Sequence, residues 1–170
     1  KLGMTGAMTK AKEIKEEIPN SLILNQFEND ANPEIHYQTT GQEIWSCCEG
    51  KIDCFISGVG TGGTITGVGK YLKKKNNKIL VVAVEPEDSA VISGSNPGQH
   101  LIQGIGAGFL PVNLDLKVVD KVLSISNNSA FSYARMLAKI EGIAGGISSG
   151  AVLAASVEIN EEFSMKNKNT

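Results

Sequence analysis

The sequence predicts an α/β fold: a parallel sheet with flanking helices. Two observations carry it. Short apolar runs (Cys54-Phe55-Ile56, Ile79-Leu80-Val81-Val82-Ala83-Val84 and Val122-Leu123-Ser124-Ile125) alternate with stretches whose apolar residues recur at helical spacing (Ile65, Val68, Leu72; Ala130, Ala134, Leu137, Ala138). Such alternation builds βαβ units and therefore a parallel sheet. A glycine-rich stretch, Ser57-Gly58-Val59-Gly60-Thr61-Gly62-Gly63-Thr64, also joins the first run directly to the first helical pattern.

Taken in order, Ala7, Ala11, Ile14 and Ile18 mark a helix stopped by Pro19-Asn20. It is preceded by Gly3-Met4-Thr5-Gly6 with no complete strand before it, and Lys1 is not an initiator Met, so further sequence is expected upstream. Ser21-Leu22-Ile23-Leu24 reads as a short strand delivering Gln26-Phe27 into a polar loop. Asn32 with Pro33 reads as a cap and first residue of a helix over residues 34–45, with Ile35, Ile44 and Trp45 inward and Thr39-Thr40-Gly41 weakening its middle. His36 on that helix reads as a surface or internally satisfied histidine.

After the glycine loop come a helix over residues 64–74, ending in Lys73-Lys74-Lys75, and the strand 79–84 closed by Glu85-Pro86. Cations at a helix end favour its dipole, so a solvated terminus explains the lysines. Asp88 and Ser89 suggest a short helix over residues 90–92. Gln103-Gly104-Ile105-Gly106-Ala107-Gly108 suits either a mobile loop passing close to a ligand or a plain connection. Val118-Val119 reads as strand material. Asn127 or Asn128 reads as the cap of the next helix, with Gly142 as its stop. Gly146-Ile147-Ser148-Ser149-Gly150 leads into a last, apolar helix over residues 151–159, expected to be buried. The tail Lys166-Asn167-Lys168-Asn169-Thr170 is polar.

The 170 residues suit one sizeable core, with 41% hydrophobic and 20% charged residues. A net charge of −2 supplies no electrostatic attraction for nucleic acid or a membrane surface. No apolar run reaches the ~18 residues of a membrane span. Cys47, Cys48 and Cys54 are odd in number and lack zinc spacing. With only His36 and His100 besides, no metal site is expected, and the thiols read as reduced and cytosolic.

Chemistry concentrates in the glycine loop. Glycines take positive φ and leave amide N–H groups open to a ligand, and the following helix adds unpaired donors and the positive end of its dipole. This is a phosphate cradle, to which Thr61 and Thr64 add hydroxyls. Gly58, Gly60 and Gly63 also satisfy the dinucleotide spacing G-x-G-x-x-G, and Glu85 falls near where a ribose-binding acid would stand. No Lys-Ser or Lys-Thr follows the last glycine, which excludes a Walker loop. On the loop alone, a nicotinamide-dependent oxidoreductase, a single-phosphate cofactor and a structural turn all stay open.

Beyond the loop stand Gln26-Phe27, Asn32-Pro33-Glu34-Ile35-His36, Thr39-Thr40-Gly41, Glu43-Ile44-Trp45, residues 58–67, Glu85-Pro86, residues 103–109 and residues 146–151. Together, in this order, they resemble the cysteine synthases (O-acetylserine sulfhydrylases), enzymes of fold type II that use pyridoxal 5′-phosphate and share the tryptophan synthase β-like fold. The resemblance implies that Gly60, Thr61, Gly62, Gly63 and Thr64 hold the cofactor phosphate, that Gln26 lies near the substrate carboxylate, and that Gly104, Ile105 and Gly106 line the substrate pocket. It implies β-replacement: acetate leaves O-acetylserine and sulfide takes its place. It also implies a homodimer in the cytoplasm or a plastid.

Cystathionine β-synthases typically carry an aromatic residue and an acid where this chain has Ala107-Gly108, which favours cysteine synthase. Plant-type members contact serine acetyltransferase through lysines where Asn96 and Leu101 stand here, which weakens that partnership. Leu at this position also occurs in cysteine desulfhydrases, so β-elimination stays an alternative. The family's Schiff-base lysine and its Thr-Ser-Gly-Asn-Thr substrate loop are absent from these residues, as is the serine that meets the pyridine nitrogen. No catalytic residue is therefore assigned, and this stretch by itself is expected to be inactive. The resemblance makes residues 1–20 the end of a smaller N-terminal domain and 21–170 most of a larger cofactor domain, in a fold incomplete at both ends. A truncated, inactive homologue is the other reading.

Overall fold

The computed structural model describes residues 3–168, with side chains to residue 164. Among them are helices α1 (Gly3–Glu17), α2 (Ala31–Gln38), α3 (Thr40–Cys47), α4 (Gly63–Lys75), α5 (Asn127–Glu141) and α6 (Ile147–Lys168), and strands β1 (Cys54–Gly58), β2 (Leu80–Pro86) and β3 (Lys121–Ile125). The strands pair in parallel in the order β1-β2-β3, with Phe55 opposite Val81 and Val84 opposite Leu123. This is the expected α/β architecture.

The central strand is covered on both faces, which is why it reads as an unbroken apolar run. Val84 packs with Ile125, Ala130, Ala151, Ala154 and Ala155, the small residues of α5 and α6. On the other face Val81 and Ala83 meet Val59, Ile65 and Leu114. The outer side of α4 continues this core, as Val68 and Leu72 pack with Ile79, Ile44 and Trp45. Helix α4 also sits tight on α2, because a methyl on Gly67 would overlap the Pro33 carbonyl. Lys73 of the basic run pairs with Asp120 at 2.5 Å, and Lys75 lies over the rings of Trp45 and Tyr71, so the run fastens the end of α4.

Several local expectations are corrected. Residues 21–24 form no strand: Leu22 and Leu24 are 78% and 74% exposed, and no described strand lies beside them to complete a ladder. The helix expected over residues 34–45 is two helices, broken at Thr39 (φ −122°, ψ −75°). Ile35, read as inward, is 52% exposed. Asn32 is not the cap; α2 starts two residues before the expected Pro33, at Ala31 after Asp30, and the Asn29 side chain accepts from the Ala31 N–H. Val118 ends a 3₁₀ turn, Leu116–Val118, rather than joining a strand. Residues 90–92 carry no helix; the 3₁₀ turn there is Glu87–Ser89. The cap of α5 is Ser126, whose hydroxyl accepts from Ser129 N–H, whereas Asn127 reaches Asp88 and Leu101. Helix α6 starts at Ile147, so Ser148-Ser149-Gly150 is its first turn, and no described strand lies between α5 and α6. The polar tail is helical to Lys168; Asn169 and Thr170, like Lys1, lie outside the described residues.

Gly142 ends α5 in the left-handed conformation as expected (φ 69°). Burial pushes the Cys54 thiol up, and the carboxylates of Asp120 and Asp53 add to it, so it stays a packed, protonated thiol. Cys47 and Cys48 are exposed and free.

Asp120 closes the β2–β3 side of the sheet. Its N–H donates to Val81 C=O (2.9 Å), and its carboxylate accepts from Val81 N–H (2.7 Å) and Lys73. Partial burial works to raise its pKa, but Lys73 and the Val81 N–H outweigh it and hold the group low. A hydrogen bond from Lys70 does the same for Asp115. Both folded-state values lie below those of the unfolded chain, ~3.9 for aspartate. Their stabilisation is therefore complete above pH ~5 and lost as pH falls through the folded values. Urea unfolding should give a constant free energy from pH 7 to 5 and a decline below about pH 4, smaller in Asp120→Asn. Gly67→Ala should cost about 1–3 kcal/mol at pH 7 in the same measurement, because its methyl meets backbone that cannot swing aside.

Candidate functional site

Strand β1 delivers its C-terminal end into the glycine loop, and α4 leaves from it. Parallel strand order forces this: the N–H of Val59 still donates to Val84 C=O (2.9 Å), and then the chain turns. Gly62 makes the turn in the left-handed region (φ 81°), where a β-carbon would also stand 2.8 Å from that of Leu114. Gly63 opens α4, and its missing side chain is replaced by the Asn32 carboxamide. Both glycines are buried; Gly60, Thr61 and Thr64 are partly open.

The second loop is docked on the first. The Gly106 N–H donates to Val59 C=O (3.0 Å), and the Gly104 carbonyl sits 2.6 Å from where a Gly60 β-carbon would be. Ile105 is buried against Gly58. His100 Nε2 donates to Gly106 C=O at 2.8 Å. Residues 104–108 thus form a loop packed against the first, at the edge of a cavity. Gln26, Gly60, Thr61, Gly104, Ile105 and Gly106 line one cavity of about 780 Å³, together with Phe27 and His100. Residues expected at the phosphate end and at the substrate end thus meet. Gly62, Gly63 and Thr64 are not on the cavity wall; they shape the turn behind it. Ser148 lies beside this second loop, its Oγ 3.9 Å from where a Gly104 β-carbon would stand.

Electrostatically the space suits an anion. Among the described residues no carboxylate lines it, and the first turn of α4 carries no acid. Among the described residues, no backbone carbonyl accepts from the N–H of Gly60, Thr61 or Gly62. A compact dianion fits such a set of donors at a helix start. Glu85 is removed from the ribose role: it is 1% exposed, and its oxygens accept from Ile92 N–H (2.7 Å), Ser93 N–H (3.1 Å) and Ser93 Oγ (2.6 Å). It holds the turn after β2 and is not available to a ligand.

Residues without an expected role frame the cradle. The Asn32 amide donates to Gln26 C=O (2.8 Å) and Thr61 Oγ1 (2.9 Å). Asn113 donates to the same Gln26 carbonyl (2.8 Å), and its own carbonyl accepts from buried Thr66 (2.8 Å). His36 bridges Thr40 (Nδ1, 2.9 Å) and Thr64 (Nε2, 3.1 Å). The one available signal was that Asn32 and His36 are four residues apart, on one face of a helix.

A family model described as "Pyridoxal-phosphate dependent enzyme" matches residues 2–169. Cysteine synthase A of Escherichia coli (strain K12) is 54% identical over 176 residues, covering 98% of this chain and 54% of that protein. A cysteine synthase of Staphylococcus aureus (strain N315) is 51% identical over 161 residues, covering 94% of this chain and 52% of its own length. The crystal structure of a cysteine synthase from Entamoeba histolytica superposes with a TM-score of 0.84 at 42% identity, over 89% of this chain and 45% of that one. A hydrogen sulfide-producing enzyme from Fusobacterium nucleatum superposes at 0.91 with 39% identity, over 95% of this chain and 55% of that one. The chain spans about half the length of the curated relatives it matches.

The contact between the two loops yields a direct expectation. Gly60→Ala must push the Gly104 carbonyl away and weaken the bond from Gly106 to Val59. Amide exchange at Gly106 should accelerate by about tenfold or more, with exchange in β2 unchanged.

Proposed function

The chain belongs to the pyridoxal-phosphate dependent enzyme family, and on that premise we propose that it supplies the phosphate-binding part of a cysteine synthase. The whole protein would replace the acetate of O-acetylserine with sulfide. The observation that carries this reading is the single cavity joining the glycine cradle to Gln26 and the 104–106 loop, with no carboxylate among the described residues on its wall. When bound, pyridoxal 5′-phosphate supplies an electron sink for bonds at the substrate's α- and β-carbons.

The roles of the residues follow from their chemistry. The N–H groups of Gly60 and Thr61 and the Thr61 hydroxyl, which line the cavity, would hold the phosphate, with Gly62 and the partly open Thr64 completing the cradle next to them, while Gly63 allows Asn32 to approach. Anchoring through the phosphate orients the rest of the cofactor without any group that must move during reaction. Gln26 would meet the substrate carboxylate, and Gly104, Ile105 and Gly106 would bound the substrate's side chain. Residues 1–20 would belong to the smaller domain and 21–170 to the larger; the exposure of every described residue of α1 to solvent or partial cover supports this division. A homodimer is part of the proposal, as is a cytoplasmic location, for which the free thiols speak. No helix among the described residues is long and apolar enough to cross a membrane.

The test is binding first and turnover second. The chain should take up pyridoxal 5′-phosphate saturably and bind pyridoxal, which lacks the phosphate, at least about tenfold more weakly. Equal affinity for the two would remove the phosphate role of the loop. The whole protein should form cysteine from O-acetylserine and sulfide. Sulfide release from cysteine as the faster reaction would move the assignment to β-elimination, the branch that the Fusobacterium nucleatum relative's description as hydrogen sulfide-producing brings into view.

A further inference from the structure

We infer that Asn32 and His36 are positioning residues that set the direction in which the hydroxyls of Thr61 and Thr64 donate, so that both protons point to the bound phosphate. The inference rests on the phosphate role proposed for the glycine loop, and deepens it.

A threonine hydroxyl has one proton and two lone pairs, and it serves an anion only when its proton is free to turn toward it. At Thr61 the direction follows from the partner. The Asn32 amide nitrogen can only donate, and its two protons go to Gln26 C=O at 2.8 Å and Thr61 Oγ1 at 2.9 Å. Thr61 Oγ1 is therefore an acceptor from Asn32. The Gly63 N–H, 3.4 Å away, is a second and longer donor to the same oxygen. The hydroxyl proton of Thr61 then meets no acceptor among the described residues, while Thr61 stands on the cavity wall.

Thr64 is set one helical turn further along. His36 lies four residues after Asn32 on α2, and its Nε2 is 3.1 Å from Thr64 Oγ1 while Nδ1 is 2.9 Å from Thr40 Oγ1. A neutral imidazole has one N–H. With the proton on Nε2, His36 donates to Thr64 and accepts from Thr40, which leaves the proton of Thr64, partly open beside the cavity though not on its wall, free to turn toward the ligand. Two residues at i and i+4 on α2 thus meet Thr61, in the turn before α4, and Thr64, in its first turn. The fit depends on α2 and α4 approaching at Gly63 and Gly67, where side chains would collide with Asn32 and Pro33. The arrangement also ties the phosphate end to the substrate end, because the carbonyl held by Asn32 belongs to Gln26.

The test reads binding, not turnover. Affinity for pyridoxal 5′-phosphate and for pyridoxal is measured by equilibrium dialysis on the full chain and on Thr61→Val, Thr61→Ser, Asn32→Asp and the Thr61→Val/Asn32→Asp double variant. A carboxylate at Asn32 accepts, so it draws the Thr61 proton away from the ligand. Thr61→Val and Asn32→Asp should each weaken pyridoxal 5′-phosphate by about tenfold, leave pyridoxal unchanged, and combine to little more than either alone. Thr61→Ser should bind as the unsubstituted chain does. Losses that multiply in the double variant would overturn the inference, as would an Asn32→Asp chain that binds normally. Should Asn32→Asp fail to fold, ¹⁵N spectra of the unsubstituted chain with pyridoxal 5′-phosphate decide. His36 protonated at Nε2 supports the inference; protonation at Nδ1 alone overturns it. If the unsubstituted chain binds pyridoxal 5′-phosphate no better than pyridoxal, the phosphate role itself fails and takes this inference with it.

Discussion

The backbone of Val59 is the point on which the rest of the site depends. Its N–H continues the β1–β2 ladder by donating to Val84, and its carbonyl accepts from Gly106. One residue thus ends a strand and anchors the second loop. His100 extends the series by holding the Gly106 carbonyl. Because the two bonds of Val59 are backbone-to-backbone at a buried residue, the spacing of the loops is inherited from the sheet and not from flexible side chains. A parallel sheet opens beyond its strand C-terminal ends, and here that opening is narrowed to one cavity.

Close approach is the second constraint. The two loops touch where Gly60 faces the Gly104 carbonyl, and α2 touches α4 where Gly63 and Gly67 lack side chains. Removing side chains at these positions lets polar backbone and the Asn32 amide reach the cradle from behind. The front is then left to N–H groups and hydroxyls. Helix direction, the described residues' lack of acids on the wall and exposed amides act in the same sense, so the site favours an anion with no lysine or arginine among the described residues that line it. This accords with a family whose cofactor carries a phosphate and whose chemistry belongs to the cofactor.

Much of the fold was legible because its signals are local. The apolar run over β2 could be read as a buried strand, and the periodicity of α4 and α5 and the stop at Gly142 are set by neighbours within a few residues. The errors fell where a local signal competed with a distant one. Asn32 before Pro33 looks like a helix cap, but a carboxamide that finds Gln26 and Thr61 contributes more there than to a helix end. Ser126 takes the cap of α5 because Asn127 is drawn to Asp88 and Leu101. Residues 21–24 have strand composition, yet a strand exists only where a neighbour offers a ladder. Glu85 fitted a dinucleotide pattern by spacing alone, and its burial under the following turn shows why spacing is weak evidence.

What the sequence by itself determined was the alternation of strands and helices, the phosphate-type loop and, through many ordered motifs, the family. These are properties of short segments and of their order, both written along the chain. The tertiary structure decided which segments meet: that the 104–106 loop hangs from Val59, that Gln26 is tied to the cradle through Asn32, and that Asn32 and His36 stand behind two threonines. Those contacts join residues from six to nearly fifty positions apart. Their geometry depends on helix packing and strand register, which no local spacing encodes.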